Sequence, residues 1–279
     1  MNKILVTTDF STYSRAGIRF ALQLASQSKV ELTFIHCYYN AKPTIWTQQK
    51  FDDFEKEEVA KLYTQLDHFV MNEMKKSGID IKLVNYACVR SLKTDEAIHL
   101  FAKEHQFNFI CISTRGAGGM KKFLGTNTSE LINTSLVPVI AVPYDYKPKA
   151  IKRIMYASDL ANADMELKEV AKFVKPLKAK VEMLHFSYPS ETETGSKVTE
   201  KAFKHFQKNE IDVHLEKINL ADTLVANIIK AVKKSKPSAV IMFTQHKKSF
   251  FERLFLSSNS AGFSYKTRVP LIVFNKVSK

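Results

Sequence analysis

The sequence predicts an α/β protein made of two successive copies of a doubly wound domain with a parallel sheet. Three observations carry this reading. A set of segments recurs in the same order about half a chain apart, and self-similarity at that scale is the first thing to look for in a sequence. Short apolar runs alternate with helical patterns inside each copy. Polar, turn-forming residues gather where the apolar runs end.

The repeat begins at the N-terminus. Lys3-Ile4-Leu5-Val6-Thr7-Thr8-Asp9-Phe10-Ser11 recurs as Arg153-Ile154-Met155-Tyr156-Ala157-Ser158-Asp159-Leu160-Ala161, which sets Asp9 over Asp159. Leu32 to His36 recurs as Val181 to His185, and Ile79-Asp80-Ile81 as Ile211-Asp212-Val213. Gly125-Thr126-Asn127-Thr128 falls over Ser257-Ser258-Asn259-Ser260, and Val137-Pro138-Val139-Ile140 over Val269-Pro270-Leu271-Ile272. The offset is 150 at the first match, 149 at the second and 132 from the third onward, so one segment is shorter in the second copy. It lies between His185 and Ile211. There the first copy has a long amphipathic pattern, Phe51 to Lys76, and the second has a polar stretch from Ser190, read as a loop, before Lys197 to Lys208.

Within the first copy, Ile4 to Val6, Leu32 to Cys37, Phe109 to Ile112 and Val137 to Val142 read as strands buried on both faces. Ile18, Leu22 and Ala25 set the first helix, and Ile98, Phe101 and Ala102 a later one. This alternation demands right-handed crossovers and a parallel sheet. Tyr144 to Lys149, with its proline and charges, reads as the linker, giving domains at 1–146 and 151–279.

Composition narrows the class. Hydrophobic residues are 45% and charged residues 25%, the balance of a globular protein. No apolar run approaches a membrane span and the start carries no signal-peptide pattern, so the expected location is cytoplasmic, with no membrane partner. Cys37, Cys88 and Cys111 form no CxxC pair and read as buried thiols, with no metal site. Of the net charge of +14, the second half holds +11. Its lysines are spaced along predicted helices as a solvated face would be, so nucleic acid is not the expected partner.

In a doubly wound sheet a ligand sits beyond the carboxyl ends of the strands, where the strand order reverses. Thr8 and Asp9 end the first strand. The Asp9 carboxylate can accept hydrogen bonds from a ribose or base edge, or it can cap the following helix. Cys37 ends the second strand, where its peptide N–H and C=O can meet an adenine edge; its side chain fits plain core packing. The fourth strand runs into Ser113-Thr114-Arg115-Gly116-Ala117-Gly118-Gly119 and then Gly125-Thr126-Asn127-Thr128-Ser129-Glu130. Glycines and a helix N-terminus can present N–H groups to an anion, which makes this a phosphate cradle. The bland alternative is a glycine loop followed by a helix with a capping box at Asn127 and Glu130. No P-loop is present, and Gly116-x-Gly118-x-x-Lys121 lacks the third glycine of a dinucleotide fingerprint.

Together these residues resemble the universal stress protein family over nearly the whole chain. The likeness rests on the Ile-Leu-Val-Thr-Thr-Asp-Phe-Ser opening, Ile35-His36, the glycine loop with Gly-Thr-Asn-Thr, and the closing Val-Pro-Val-Ile-Ala-Val-Pro. It implies a five-stranded parallel sheet per domain, of the HUP/adenine nucleotide α-hydrolase-like kind. It also implies fifth strands that pair antiparallel, here as a pseudo-dimer within one tandem chain; a homodimer of such chains is compatible with it. ATP-binding members carry G-x2-G-x9-G-[S/T] after the fourth strand. Carried over, that pattern falls on Ser113, Gly116, Gly125 and Thr126, with Asp9 and Cys37 at the positions that meet the nucleoside. Two departures matter: Ser113 replaces the first glycine, and eight residues rather than nine separate Gly116 from Gly125. In the second copy the matching positions are Thr244, Lys247, Ser257 and Ser258, with every glycine gone, which implies a degenerate loop.

Three functions are weighed on this basis. The leading one is a cytoplasmic stress-response protein that binds ATP or another adenine nucleotide through Thr8, Asp9, Cys37, Ser113, Gly116, Gly125, Thr126 and Asn127, and acts on protein partners the sequence does not name. The second is an interaction scaffold that binds no nucleotide and has a basic second domain. The third, an ATP-using enzyme, lacks an SGGxDS-type loop, a nucleophile paired with a base, or a metal cluster, so no catalytic residue is assigned. His36 and His185 read as core or rim histidines.

Overall fold

A computed structural model describes residues 2–114, 126–158, 160, 162–187, 212–217, 219–222, 224–244 and 269–275. The described residues up to Pro148 form one compact unit and those from Lys149 a second.

In the first unit the order is β1 (Asn2–Thr7), α1 (Arg15–Gln27), β2 (Val30–Tyr38), α2 (Gln48–Ser77), β3 (Val84–Arg90), α3 (Thr94–Glu104), β4 (Phe109–Thr114), α4 (Thr126–Thr134) and β5 (Val139–Pro143). The strands lie side by side as β3-β2-β1-β4-β5, every pair parallel. The chain moves outward from β1 through β2 to β3, then returns past β1 to lay down β4. The order therefore reverses between β1 and β4, whose register sets Val6 beside Cys111.

Burial follows from sequence. β1 and β4 are apolar runs with Leu5, Val6 and Ile110 inaccessible, as strands covered on both faces must be. Helix α1 turns Ile18, Phe20, Ala21, Leu22 and Leu24 inward. Helix α2 is far longer than its neighbours and buries one stripe near its end, Leu66, Phe69, Val70, Glu73 and Met74, with Phe51 at its start. Thr47 caps it, accepting the Lys50 N–H at 3.2 Å. Gly78 ends it in the left-handed region at φ 65°, where a side chain would be strained.

One acid lies on that apolar stripe. Glu73 is buried, and its carboxylate takes hydrogen bonds from Arg15 at 2.5 Å and Arg19 at 2.7 Å, tying α2 to α1. Burial alone would push this carboxyl up; the two guanidinium hydrogen bonds outweigh it and hold the group below its ordinary range. The Arg15 guanidinium also lies 4.2 Å from the centre of the Phe69 ring.

The second unit holds β6 (Arg153–Ala157), α5 (Ala163–Val174), a 3-10 turn (Lys175–Leu177), β7 (Lys180–Ser187), β8 (Asp212–Lys217), α6 (Leu224–Ser235), β9 (Ala239–Thr244) and β10 (Leu271–Asn275). Its strand order is β8-β7-β6-β9-β10, again parallel throughout. Both units are thus α/β with the doubly wound order expected from the alternation of patterns.

Four details differ from the sequence reading. The last strand of each unit starts two residues later than expected, at Val139 and Leu271, just after Pro138 and Pro270, which have no N–H to give a ladder. The segment read as a linker begins as part of the first unit: Tyr146 is buried with its ring edge-on to Phe20 at 5.3 Å. Helix α4 starts at Thr126, so Asn127 lies inside its first turn rather than at the cap. Finally, Tyr156 pairs with Ile241 as Val6 pairs with Cys111, so the residue two further along β9 from Ile241, Phe243, is the counterpart of Ser113; Thr244 is not.

Candidate functional site

The site grows out of the turn that ends β1. Thr8 extends the ladder by one bond, its N–H donating to the Ile35 carbonyl at 3.0 Å. Its own carbonyl lies 2.9 Å from His36 Nδ1. The Thr8 hydroxyl accepts the Phe10 N–H at 3.1 Å and lies 2.8 Å from Ser14 Oγ. Phe10 has φ 60°, an uncommon conformation for a residue with a side chain. Its ring offsets that cost by packing on His36 at 4.2 Å and edge-on to Phe69 at 5.6 Å.

Asp9 stands exposed in the middle of this turn. Its Oδ1 accepts the Ser11 N–H at 3.0 Å, an Asx turn two residues long. Helix α1 begins only at Arg15, so the carboxylate braces the turn and does not cap the helix.

Across the switch point, Ser113 on β4 faces α1. Its hydroxyl accepts the Gly17 N–H at 2.6 Å and donates to the Ser14 carbonyl at 3.0 Å, so both its capacities are spent on the helix. A Cβ at Gly17 would stand 3.0 Å from Ser113 Oγ and 3.3 Å from its peptide nitrogen, which is why the helix carries glycine at this approach. The serine in place of a glycine thus locks α1 against β4.

Cys37 lies on the stretch of β2 that runs past the end of β1. It pairs with Val89 on one side, while β1 stops opposite Ile35. Peptide groups alternate sides along a parallel ladder, and the Ile35 carbonyl points at β1, so those of Cys37 point the same way, into space that β1 leaves open. The thiol is half-buried and pushed up to about 12, first by burial and then by neighbouring Cys88. A thiol so raised holds its proton at neutral pH.

These pieces surround a cleft of about 380 Å³, within the range of small-molecule sites. Of the residues expected to bind a cofactor, Thr8, Asp9, Cys37 and Ser113 all line it. Gly116 and Gly125 lie outside the described residues. Thr126 and Asn127 open α4, and Thr128 in that same turn reaches the cleft. Sequence reasoning missed Thr94 and Ile98, at the start of α3, and Ile112 on β4. The signal for α3 was available, since every helix that follows a strand starts at the carboxyl end of the sheet. Tyr13 is also part of the lining, its ring edge-on to Tyr144 at 5.7 Å.

In a doubly wound α/β unit the cleft at the strand-order switch is the place where a ligand would sit, and here that cleft is polar. Residues 1–143 match the model of the universal stress protein family, and the chain belongs to that family. No curated protein matches it. Among solved structures, a universal stress protein from Archaeoglobus fulgidus is similar at 19% identity, covering 98% of each chain with a TM-score of 0.66. A functionally unknown protein from Pseudomonas aeruginosa is similar at 13% identity, covering 99% of this chain and 92% of its own, with a TM-score of 0.56. A universal stress protein in complex with cAMP aligns over 50% of this chain and 96% of its own, at 20% identity and a TM-score of 0.39.

Proposed function

We propose that this protein is a cytoplasmic stress-response binding and regulatory protein, not a catalyst, and that its first unit takes ATP or another adenine nucleotide between Asp9 and the 116–126 loop. One observation carries the reading: Thr8, Asp9, Cys37 and Ser113, from three different strand ends, line one cleft at the strand-order switch. In this reading the Asp9 carboxylate accepts ribose hydroxyls and the open peptide groups of Cys37 meet the base edge. The glycine loop and the N-terminus of α4 would receive the phosphates. Among the described residues no helix is long and apolar enough to cross a membrane. Occupancy would act by altering contacts with partner proteins, and the second unit would serve packing and partners. Pairing of the two copies through their last strands, as the family resemblance implies, belongs to the same proposal.

The test is mass spectrometry of small molecules released from the purified full chain, followed by calorimetry. An adenine nucleotide near one per chain is expected. The Gly125→Val variant should abolish ATP binding by blocking close approach of the loop backbone, and Asp9→Ala should weaken it. Equal ATP affinity in wild type and Gly125→Val would remove the loop from the site. Absence of any adenine compound, with no ATP affinity, would favour the nucleotide-free scaffold.

A further inference from the structure

The second unit gathers positive charge at one end. Its strands are parallel, so their amino ends share one edge of the unit, and α5 and α6, which run back along the sheet, finish there. The loops at that end touch one another. The Lys180 N–H donates to the Lys152 carbonyl at 2.9 Å, the Ser238 N–H donates to that of Arg153 at 2.7 Å, and Ser238 Oγ accepts the Lys152 N–H at 3.1 Å. Six exposed lysines stand on these loops and helix ends: Lys152 before β6, Lys175, Lys178 and Lys180 on the approach to β7, and Lys233 and Lys236 on the approach to β9. In the sequence they read as solvated helix faces; the fold brings them to one place. The chain moves one way along the sheet from β6 to β7 and the other way from β8 to β9, so right-handed crossovers set α5 and α6 on opposite faces. The lysines therefore span both lips of the sheet end, about 20 Å or two helix diameters.

Their charge is not spent within the unit. Glu182 takes Arg153 at 3.3 Å and also the Ser235 hydroxyl, and Glu216 takes Lys234 at 2.7 Å. Among the described residues, none of the six lysines is in an ion pair. By sequence, segments 188–211 and 245–268 carry nine Lys and Arg against five Asp and Glu, so they bring no net negative charge to neutralise the face. Helix dipoles account for Lys175 and Lys233, which answer the negative ends of α5 and α6. They do not account for Lys152 and Lys180. Nor do they account for Lys178 and Lys236, left-handed at φ 53° and 52°, where glycine is the cheaper residue after a helix. The same end of the first unit sets Glu31, Asp80 and Glu104 among its lysines, and so mixes the two signs.

The chemistry of the face selects its partner. Lysine is a point charge that suits phosphate, while the arginine able to fork onto a base edge is held on Glu182. Among the described residues at this end no aromatic ring is exposed to stack on unpaired bases. The large apolar side chains that the second unit exposes, Met165 and Leu220, lie at its opposite end, so a bilayer would find no anchor here. A duplex, by contrast, presents about 12 phosphates over 20 Å of its axis.

We propose that the amino-terminal end of the second unit's sheet docks on the phosphate backbone of double-stranded nucleic acid without reading its base sequence. The proposal is independent of the adenine-ligand reading of the first unit.

The test is fluorescence anisotropy of the full chain, freed of bound nucleic acid, with a labelled DNA duplex of about two helical turns, at 50 to 200 mM salt. Five or six phosphate contacts give a slope of about −5 in log K against log salt, about a thousandfold loss over that range. Two duplexes of unrelated sequence should bind alike. Lys152→Glu, Lys180→Glu and Lys236→Glu together should weaken binding at least a hundredfold, whereas Lys29→Glu, Lys82→Glu and Lys103→Glu in the first unit, with the same change in net charge, should cost only a few-fold. Lys152→Gln alone should lower the slope by about 0.9. Equal losses in the two triple variants would show that binding follows net charge and not this face, and would overturn the proposal. So would absence of binding at 50 mM salt. Equal affinity for polyglutamate, or binding to phosphatidylserine vesicles without binding to the duplex, would give the face to an acidic protein or a membrane instead.

Discussion

At the end of β1 and at the end of β6 the chain makes the same turn. Phe10 and Leu160 both sit in the left-handed region, at φ 60° and 63°. Each accepting hydroxyl lies two residues earlier, Thr8 and Ser158, both at 3.1 Å from the peptide nitrogen. In each unit a histidine closes the back of the turn, His36 Nδ1 at 2.9 Å from the Thr8 carbonyl and His185 Nδ1 at 3.0 Å from that of Ser158. Beneath this shared turn the two units differ. Where the first has Val6 and Ser113, the second has Tyr156 and Phe243. Tyr156 is fully buried, its hydroxyl 2.9 Å from Ser158 Oγ and 2.5 Å from Glu166 Oε2, and its ring meets Phe243 edge-on at 5.9 Å. Phe243 in turn stacks on Phe274 at 4.8 Å. The turn is a structural device that both copies keep, while the ground under it can be left small or filled with aromatic rings. A shared backbone motif is thus no evidence of a shared site; the side chains at the facing strand positions decide.

The largest expected effect comes from undoing the filling. Tyr156→Val places the first unit's residue at this register, deletes a fully buried ring and takes the phenol away from buried Glu166. The loss should be about 3 kcal/mol or more. Thermal melting by circular dichroism would measure it. A change below about 1 kcal/mol would mean the ring is not packed as described and would break the contrast between the units.

A smaller effect is expected from the pair that fastens α2 to α1 in the first unit. Glu73→Gln removes the charge facing Arg15 and Arg19 but keeps a hydrogen-bonding side chain. Both arginines retain some contact with water, so the cost should fall at about 2 to 3 kcal/mol, below the loss for a fully buried pair. The carboxyl is held below its ordinary range, so its contribution is present above the unfolded value of about 4.3 and is lost as pH falls through the lower folded value. Stability of the variant should therefore decline less than wild type below about pH 4. Equal acid slopes would remove Glu73 from that role.

The sequence shows the architecture of both units because its signals are local and repeated: apolar runs of strand length, helical stripes, and prolines and glycines at their ends. It also brings Thr8, Asp9, Cys37 and Ser113 to the right end of the sheet, because that follows from topology alone. It does not show where a hydroxyl points. Ser113 reads as a substituted loop glycine, yet its Oγ is spent on α1, and that depends on how closely the helix crosses β4 at Gly17. Ser113 matches Phe243 rather than Thr244, because the offset between copies is 130 at β4 and β9, as ladder register shows, and not the 132 of the flanking repeats. Glu73 was open to notice, since it falls on the same helical stripe as Leu66, Phe69 and Val70, and an acid on an apolar face implies a partner.

The smallest effect tests the contact that keeps the ground under the first turn small. Gly17→Ala puts a methyl group 3.0 Å from Ser113 Oγ and 3.3 Å from a backbone nitrogen, closer than such atoms ordinarily stand. Relief requires α1 to move off β4 by a few tenths of an ångström, stretching the 2.6 Å hydrogen bond from the Gly17 N–H. Alanine favours a helix interior over glycine by about 1 kcal/mol, while overpacking costs about 1 to 3, so a net loss of about 1 kcal/mol is expected. Removing the hydroxyl as well should reverse the sign. In a Ser113→Gly background the added methyl keeps only the 3.3 Å approach to the backbone nitrogen and an ordinary 3.6 Å contact with the Ile112 carbonyl carbon, and the helix preference of alanine remains, so Gly17→Ala should there be neutral or stabilising. The difference between the two backgrounds, read from denaturation midpoints, is the coupling of Gly17 to Ser113. Additive effects would show that the helix already stands far enough from β4, and that Ser113 does not lock it.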